Sequence, residues 1–421
     1  MPGDRSASGE AGRTLVVIAG KDPTVELGGH SAFLRSTGRA AARLGFTPHI
    51  FCAARQSGET TTEFGVLHRI RSPLGSFTQK TVPVHAPMIA AAVTRFLSGR
   101  PGPHLIHSFN LWGYAGVMAS RRLRRRGQRV TTIVNAYTTM DHEVAGKLRG
   151  VRWSHGMGPS LRCRLEYAWF KLIGRCERRT YRESDLVLVN YESVRRLLAE
   201  KYGAGLPVRK LAYAPESAFL PAFTTEPPPS EGLAALAPRD APLIVSASRH
   251  DPRKGLDILL RALAELRRTG ARFRACILSG GPLFAAHRRL ARQLRLDDTT
   301  LLTNWVPDTG PYLRAADIFV LPSLQEGSGS VAMLEALQAG NAVVASNVDG
   351  IPEDVTDGES ALLVEPGRGD RLGEALARLL GDGGLRQRLA RRAREVFADR
   401  FSAPAFTEAL RATYAELGFS P

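Results

Sequence analysis

The chain has little cysteine and spends it without pattern. Cys52, Cys163, Cys176 and Cys276 stand far apart with no C-x-x-C pair among them, so reduced, partly buried thiols are expected rather than a disulfide framework or a metal cluster. Long hydrophobic runs are also missing: none approaches the ~20 apolar residues that a membrane-spanning helix needs. The opening stretch MPGDRSASGEAGR is small and polar, and the apolar run behind it is too short for a secretory signal. Cytoplasmic residence is therefore the expectation, with peripheral contact at the inner membrane face left open. No repeat of fixed period and no extended low-complexity tract is found.

The first half also lacks acid. Residues 1–215 carry 33 Lys and Arg against 14 Asp and Glu, whereas residues 216–421 carry 24 against 26, so the whole net charge of +17 resides in the first half. A basic half suits nucleic acid, an anionic membrane surface or an anionic small substrate, and Arg-rich composition alone also produces it. Residues 147–182 interleave Arg and Lys with Trp153, Tyr167, Trp169 and Phe170. From Leu161 onward the apolar positions recur at helical spacing, which fits either a helix lying on an anionic membrane or a core-packed helix with a basic outer face.

What is present is an α/β rhythm. With 421 residues, 43% of them hydrophobic, and a mean hydropathy of −0.14, the chain is a soluble globular protein too long for one core of usual size. Short continuous apolar runs, such as Leu15–Ala19, Leu105–His107, Leu186–Val189 and Leu243–Ala247, read as strands buried on both faces. Further strands are expected at Pro48–Cys52, Val66–Ile70, Val130–Val134 and Lys210–Tyr213, and helices at Ala86–Leu97 and Trp112–Arg126. Strands separated by helices imply right-handed crossovers and mostly parallel sheets. Proline and glycine around PPPSEG mark a linker at 216–241 between domains at 13–215 and 242–400, with a closing segment at 401–421.

The most informative stretch is Leu321–Gly340, LPSLQEGSGSVAMLEALQAG. A buried strand breaks at Pro322, passes through a Gly/Ser loop carrying Glu326, and becomes a helix holding Glu335. In an open α/β sheet, ligands sit outside the carboxyl ends of the strands, where loop and helix N–H groups point at the crevice. Gly327, Ser328, Gly329 and Ser330 leave such N–H groups unshielded, and amides beside carboxylates suit a sugar phosphate. Upstream, the strand Leu243–Ala247 leads into Ser248, Arg249, Pro252, Arg253, Lys254 and Gly255 and then a helix. There two cations converge with backbone amides on one phosphate. The strand Thr300–Thr303 ends in Asn304, Trp305, Val306 and Pro307. In the first half, Gly28, Gly29 and His30 form a glycine turn into a helix, and His107 closes a strand on the crevice side and is taken as a catalytic candidate. Asn135, Asp141 and His142 follow the next strand.

The run P-S-x-x-E-G, a short loop and L-E-A-x-x-x-G resembles the signature of retaining glycosyltransferase family 4, the glycosyl transferases group 1, and Arg249 to Gly255 resembles that family's R-x-x-x-x-K-G element. The resemblance implies a GT-B fold, two Rossmann-like domains facing across a cleft, acceptor in the first and donor in the second, with the last helix crossing back onto the first. It implies transfer of a hexosyl group from a UDP- or GDP-linked sugar to an acceptor hydroxyl of a glycan, a lipid-linked glycan or a small natural product. In that family the two cations, here Arg249 and Lys254, grip the pyrophosphate, and no metal or cofactor is then needed beyond the nucleotide diphosphate sugar as co-substrate. Glu335 falls on the ribose-binding glutamate. Eight residues separate it from Glu326, one more than the family's spacing, so the sugar-hydroxyl role falls on Glu326 read from the strand and on the Gly327 slot read from the helix. Gly28, Gly29 and His30 would lie at the donor phosphates and acceptor, and the main chain of Val306 at the nucleobase. Two other readings are a nucleotide-sugar epimerase of the same fold and a basic nucleic-acid-binding protein; the latter leaves Arg249, Lys254 and Glu335 without a task, and no nucleic-acid partner is expected.

Overall fold

The computed structural model describes residues 13–25, 29–75, 81–142, 161–220, 233, 236–238 and 240–419. The chain packs as two compact units. The first comprises Met1–Asn135, Cys176–Val187 and Thr407–Pro421, and the second Ala136–Arg175 and Leu188–Phe406. The linker expected at 216–241 lies largely outside the described residues, and Gly28 lies outside them altogether.

The first sheet has eight strands: β1 Arg13–Ile18, β2 Phe46–Ala54, β3 Gly58–Thr62, β4 Gly65–Arg71, β5 His104–Phe109, β6 Val130–Ala136, β7 Leu186–Val189 and β8 Val208–Lys210, in the order β3-β4-β2-β1-β5-β6-β7-β8. β1 runs parallel to β2 and β5, β2 to β4, and β5 to β6. Leu15, Val16, Val17 and Ile18 are wholly buried, which is why this strand reads as an unbroken apolar run. β3 is the exception, an antiparallel edge strand on β4. It is exposed along nearly its whole length and its sequence, GETTT, has no apolar residue. The strand expected at Lys210–Tyr213 lies earlier, at Val208–Lys210; just beyond it Leu211 still donates its N–H to the Val189 carbonyl of β7 at 2.8 Å, and Leu211 and Tyr213 are both buried.

The helix expected from Ala86 begins at Val82. Pro83 sits in its first turn, where a missing N–H costs nothing and the fixed φ suits the helix. Within the first unit, Tyr414 near the chain end packs edge-on against Phe46, with ring centroids 5.4 Å apart.

The second sheet comprises β9 Leu243–Ala247, β10 Arg274–Leu278, β11 Thr300–Leu302, β12 Ile318–Leu321, β13 Ala342–Ser346 and β14 Leu362–Val364, in the order β11-β10-β9-β12-β13-β14. Every neighbouring pair is parallel. The helix Leu256–Arg268 buries Leu256, Leu259, Leu260, Leu263 and Leu266, and these join Ile244, Ile318, Val320, Leu372 and Leu376 in one core. Cys52 and Cys276 are buried free thiols, and burial pushes both up to about 12. Among the described residues no helix is long and apolar enough to cross a membrane.

Glycine 38 is an enforced choice in the helix Gly29–Arg43: a Cβ there would overlap the carbonyl oxygen of Phe64. Gly38→Ala is expected to cost about 1–3 kcal/mol through overpacking, seen as a lower urea midpoint at unchanged slope; an unchanged midpoint would show that the Phe64 segment yields freely.

Candidate active site

β9 and β12 are neighbours in the sheet but not in the sequence. The chain leaves them toward opposite sides, which opens a crevice at their carboxyl ends. After β9, Asp251 accepts a hydrogen bond from the N–H of Arg253 at 3.1 Å, capping the short turn Pro252–Lys254. Gly255 then takes a left-handed conformation at φ 59°, and a Cβ on it would overlap the carbonyl oxygen of Pro322. Leu324 and Gln325 donate their N–H groups to the Arg253 carbonyl at 2.7 and 3.2 Å. The loops after the two central strands are thereby joined through their backbones.

Side chains complete the junction. Lys254 Nζ lies 2.6 Å from Glu326 Oε2, with side-chain exposures of 16% and 5%, and Ser323 donates to the other carboxylate oxygen. Glu326 is thus turned onto Lys254 rather than toward solvent. Arg249 is exposed; its carbonyl accepts from the Asp251 N–H at 2.7 Å, while its guanidinium makes no hydrogen bond or ion pair among the described residues.

The Gly/Ser loop differs from the expectation that its amides stand open. The N–H groups of Glu326 and Gly327 both donate to Asp349 Oδ2 at 2.7 Å. Gly327 adopts φ +83° and Asp349 φ +50°, so the exchange is built into left-handed backbone on both sides. Ser330 accepts from the N–H of Met333 at 3.2 Å and serves as the helix N-cap. The N–H groups of Ser328 and Gly329 make no hydrogen bond among the described residues and remain available.

Glu335 is half-buried and accepts a 3.3 Å hydrogen bond from Thr309 Oγ1, in the loop after β11. Burial, reinforced by Asp308 and Glu216, pushes its carboxyl up to about 7. Val306 lies in that same loop, half-buried. Arg249, Lys254, Val306, Glu326, the 327–330 loop and Glu335 therefore all sit in the second unit, in loops or the helix following β9, β11 and β12.

The first unit holds the rest. Gly29 opens the helix Gly29–Arg43, and the His30 ring lies 4.3 Å from that of Trp112 and meets Phe109 edge-on at 5.6 Å. His107 is corrected from a catalytic to a structural residue. It is 1% exposed, its Nδ1 lies 2.8 Å from the Tyr414 hydroxyl and its Nε2 is bonded to Asn135 Oδ1. With an acceptor on Nε2, the proton belongs there and Nδ1 accepts from tyrosine. Burial holds the ring neutral, with its pKa down at about 4, and neither nitrogen is left for a substrate.

Several supporting residues carry no sequence signal. The Tyr191 hydroxyl donates to Asp354 at 2.5 Å, and the tyrosine occupies the space where a Cβ on Gly329 or Gly350 would go. Gly350 in turn donates its N–H to the Ser328 carbonyl at 2.7 Å. Glu353 accepts from the N–H groups of Glu192 and Ser193 and from Lys210 Nζ, at 2.8, 3.2 and 2.6 Å. Gln325 Nε2 lies 2.9 Å from His142 Nε2, beside Glu326. These contacts join segments far apart in sequence, which periodicity does not reach.

Two parallel-sheet α/β units, with a cation-and-carboxylate crevice at the switch point of the second, define the GT-B class of glycosyltransferase. The profile of the family described as "Glycosyl transferases group 1" matches residues 234–396, and that of "Glycosyl transferase 4-like domain" residues 28–215. The D-inositol 3-phosphate glycosyltransferase of Actinosynnema mirum is 30% identical over 418 residues, 93% of either chain. The lipopolysaccharide core biosynthesis glycosyltransferase LpsE of Rhizobium meliloti is 34% identical over 172 residues; the match takes in 41% of this chain and 49%, about half, of that protein. Sucrose-phosphate synthase of Thermosynechococcus elongatus superposes with a TM-score of 0.73 at 20% identity, over 96% of this chain and 99% of that one, a likeness of fold. The chain belongs to the glycosyl transferases group 1 family of glycosyltransferases.

Asp354 gives the site support a pH signature. It is 1% exposed and burial pushes its carboxyl up to about 7. A raised folded-state pKa contributes stability that is complete below the unfolded value near 4 and is lost as pH rises through about 7. Asp354→Asn is therefore expected to gain on wild type by about 4 kcal/mol between pH 4 and pH 8, followed by urea unfolding at each pH. A constant difference across that range would contradict the buried, protonated carboxyl.

Proposed function

We propose that the protein is a retaining glycosyltransferase that moves a hexosyl group from a UDP- or GDP-linked sugar to an acceptor hydroxyl of a glycan, a lipid-linked glycan or a small natural product. The observation that carries this reading is the grouping at the ends of β9 and β12: an exposed Arg249 whose guanidinium has no partner among the described residues, a Lys254 held on Glu326 at 2.6 Å, and a half-buried Glu335 reached by Thr309. The retaining outcome is supported by the motif resemblance.

In this reading Arg249 and Lys254 bind the diphosphate and offset the charge that grows on it as the glycosidic bond breaks. Glu326 keeps Lys254 extended toward that position, so the cation is placed before substrate arrives. The Ser328 and Gly329 amides orient the sugar phosphate, and Glu335 accepts from the ribose hydroxyls. Neutralisation by two side-chain cations supports a reaction that uses no metal. The acceptor reads best as anionic, given the basic first half, and residence as cytoplasmic. Contact with an anionic membrane through the helix Leu161–Glu183 goes with that reading, since Trp169 on it is 44% exposed.

Calorimetry with UDP, GDP, ADP and dTDP tests the donor site. One diphosphate is expected to bind, weakened roughly 10- to 100-fold by Glu335→Ala, as for loss of charge-assisted hydrogen bonds. No binding by any of them, or affinity indifferent to Glu335, would remove the assignment. Because Glu335 titrates near 7 and accepts as the carboxylate, affinity is expected to rise from pH 6 to pH 8. In Glu335→Gln that rise should shrink to the part contributed by the diphosphate's own ionisation.

A further inference from the structure

Trp305 is 64% exposed, at the carboxyl end of β11, on a loop whose neighbours belong to the candidate site. The backbone around it is fixed: its N–H donates to Asn304 Oδ1 at 2.9 Å, and four residues on, Thr309 of the same loop bonds Glu335. The adjacent loop after β10 brings Gly280 beneath it. A Cβ on Gly280 would stand 2.7 Å from the indole Nε1 and 2.8 Å from Cδ1, so the pyrrole edge of the ring lies across the glycine backbone. That loop is itself tied to the loop after β9, the His250 N–H donating to the Gly280 carbonyl at 2.9 Å. An aromatic ring is thus seated by its edge while much of its surface faces solvent. Exposure of this size on so large an apolar side chain, at the ligand edge of a parallel sheet, is the arrangement of a stacking surface awaiting a flat partner.

The position of the ring selects the partner. The phosphate-binding cations follow β9, and β11 lies two strand spacings away, about 10 Å, a distance a nucleoside covers between its phosphate and its base. With the ribose at Glu335, the base extends over the loops after β10 and β11. We propose that Trp305 is the stacking platform for the nucleobase of the donor, and that it favours a purine over a pyrimidine nucleoside diphosphate because the larger ring system overlaps more of the indole. This inference rests on the donor-site reading above. It adds a specificity-determining side chain where backbone contacts at Val306 would leave the base unselected.

The test combines calorimetry and intrinsic fluorescence on the full chain with GDP, ADP and UDP. GDP or ADP is expected to bind more tightly than UDP and to quench tryptophan emission. Trp305→Ala should weaken purine diphosphate binding roughly 5- to 150-fold, the range for loss of one base–aromatic stack. Trp305→Phe should retain affinity within about threefold yet lose the quench, which separates stacking from a general disturbance of the loop. Gly280→Ala, whose Cβ would overlap both Asn304 Oδ1, the acceptor of the Trp305 N–H, and the indole edge, should weaken binding in the same sense as Trp305→Ala. The exposed position of residue 305 keeps both of its variants folded, checked by an unchanged thermal midpoint. Purine diphosphate affinity unaltered in Trp305→Ala, or UDP binding tighter than GDP and ADP, would overturn the proposal while leaving a Glu335-dependent donor site standing. Absence of binding by every diphosphate to the wild type would instead overturn the donor-site reading, and this inference with it.

Discussion

The junction between the loops after β9 and β12 is the constraint on which the rest of the site depends. Three kinds of interaction act there on the same few residues. Backbone hydrogen bonds run from Leu324 and Gln325 to Arg253, a side-chain ion pair joins Lys254 to Glu326, and Gly255 admits the Pro322 carbonyl where any Cβ would stand. The ion pair is the part that water would otherwise weaken, and both partners are largely withdrawn from solvent. A buried pair of this kind is poor evidence for stability, because desolvation consumes most of the attraction. Its value lies in direction: a lysine with free rotamers is a diffuse charge, whereas one held on Glu326 is a charge at a known place.

Preorganisation by the polypeptide itself recurs in the adjoining loop. Asp349 holds the Glu326 and Gly327 amides, Gly350 holds Ser328, and Ser330 starts the helix that carries Glu335. The helix, in turn, buries Met333, Leu334, Ala336 and Leu337, which leaves Glu335 half covered and costly to ionise. A carboxyl poised near neutrality is what a group needs if its charge is to be completed by a ligand's hydroxyls rather than by water.

Much of this was legible from residues alone where one physical signal dominated. Leu186–Val189 and Leu243–Ala247 are readable to the residue because strands buried on both faces have no polar position to blur their ends. The turn into the helix at Leu256 and the helix carrying Glu335 follow from glycine and proline placement. Where two signals competed, the reading slipped. β3 has no apolar residue, so nothing marks an edge strand paired on one side only. Leu211 and Tyr213 are buried although the strand ends at Lys210, and their apolar character draws the expected strand past Val208–Lys210. His107 has the residue type and strand-end position of a catalytic group, and only the Tyr414 hydroxyl, supplied by the far end of the chain, shows that both its nitrogens are occupied. Likewise the composition of the Gly/Ser loop says that amides are unshielded, but not that Asp349 reaches two of them first.

The Tyr191 side chain has a consequence for how this sequence can vary. Its hydroxyl is committed to Asp354, and its ring fills the volume that side chains at positions 329 and 350 would claim. The three positions therefore form a lock with a single setting. Any residue larger than glycine at 329 or 350 calls for a smaller one at 191, and a smaller one at 191 strips Asp354 of its donor in a place water does not reach. Each single step away from the present combination is penalised, although a compensated set of changes need not be. Drift at these sites is confined to coordinated jumps, so the Gly/Ser loop of the candidate site is held to its shape by the spatial incompatibility of its neighbours.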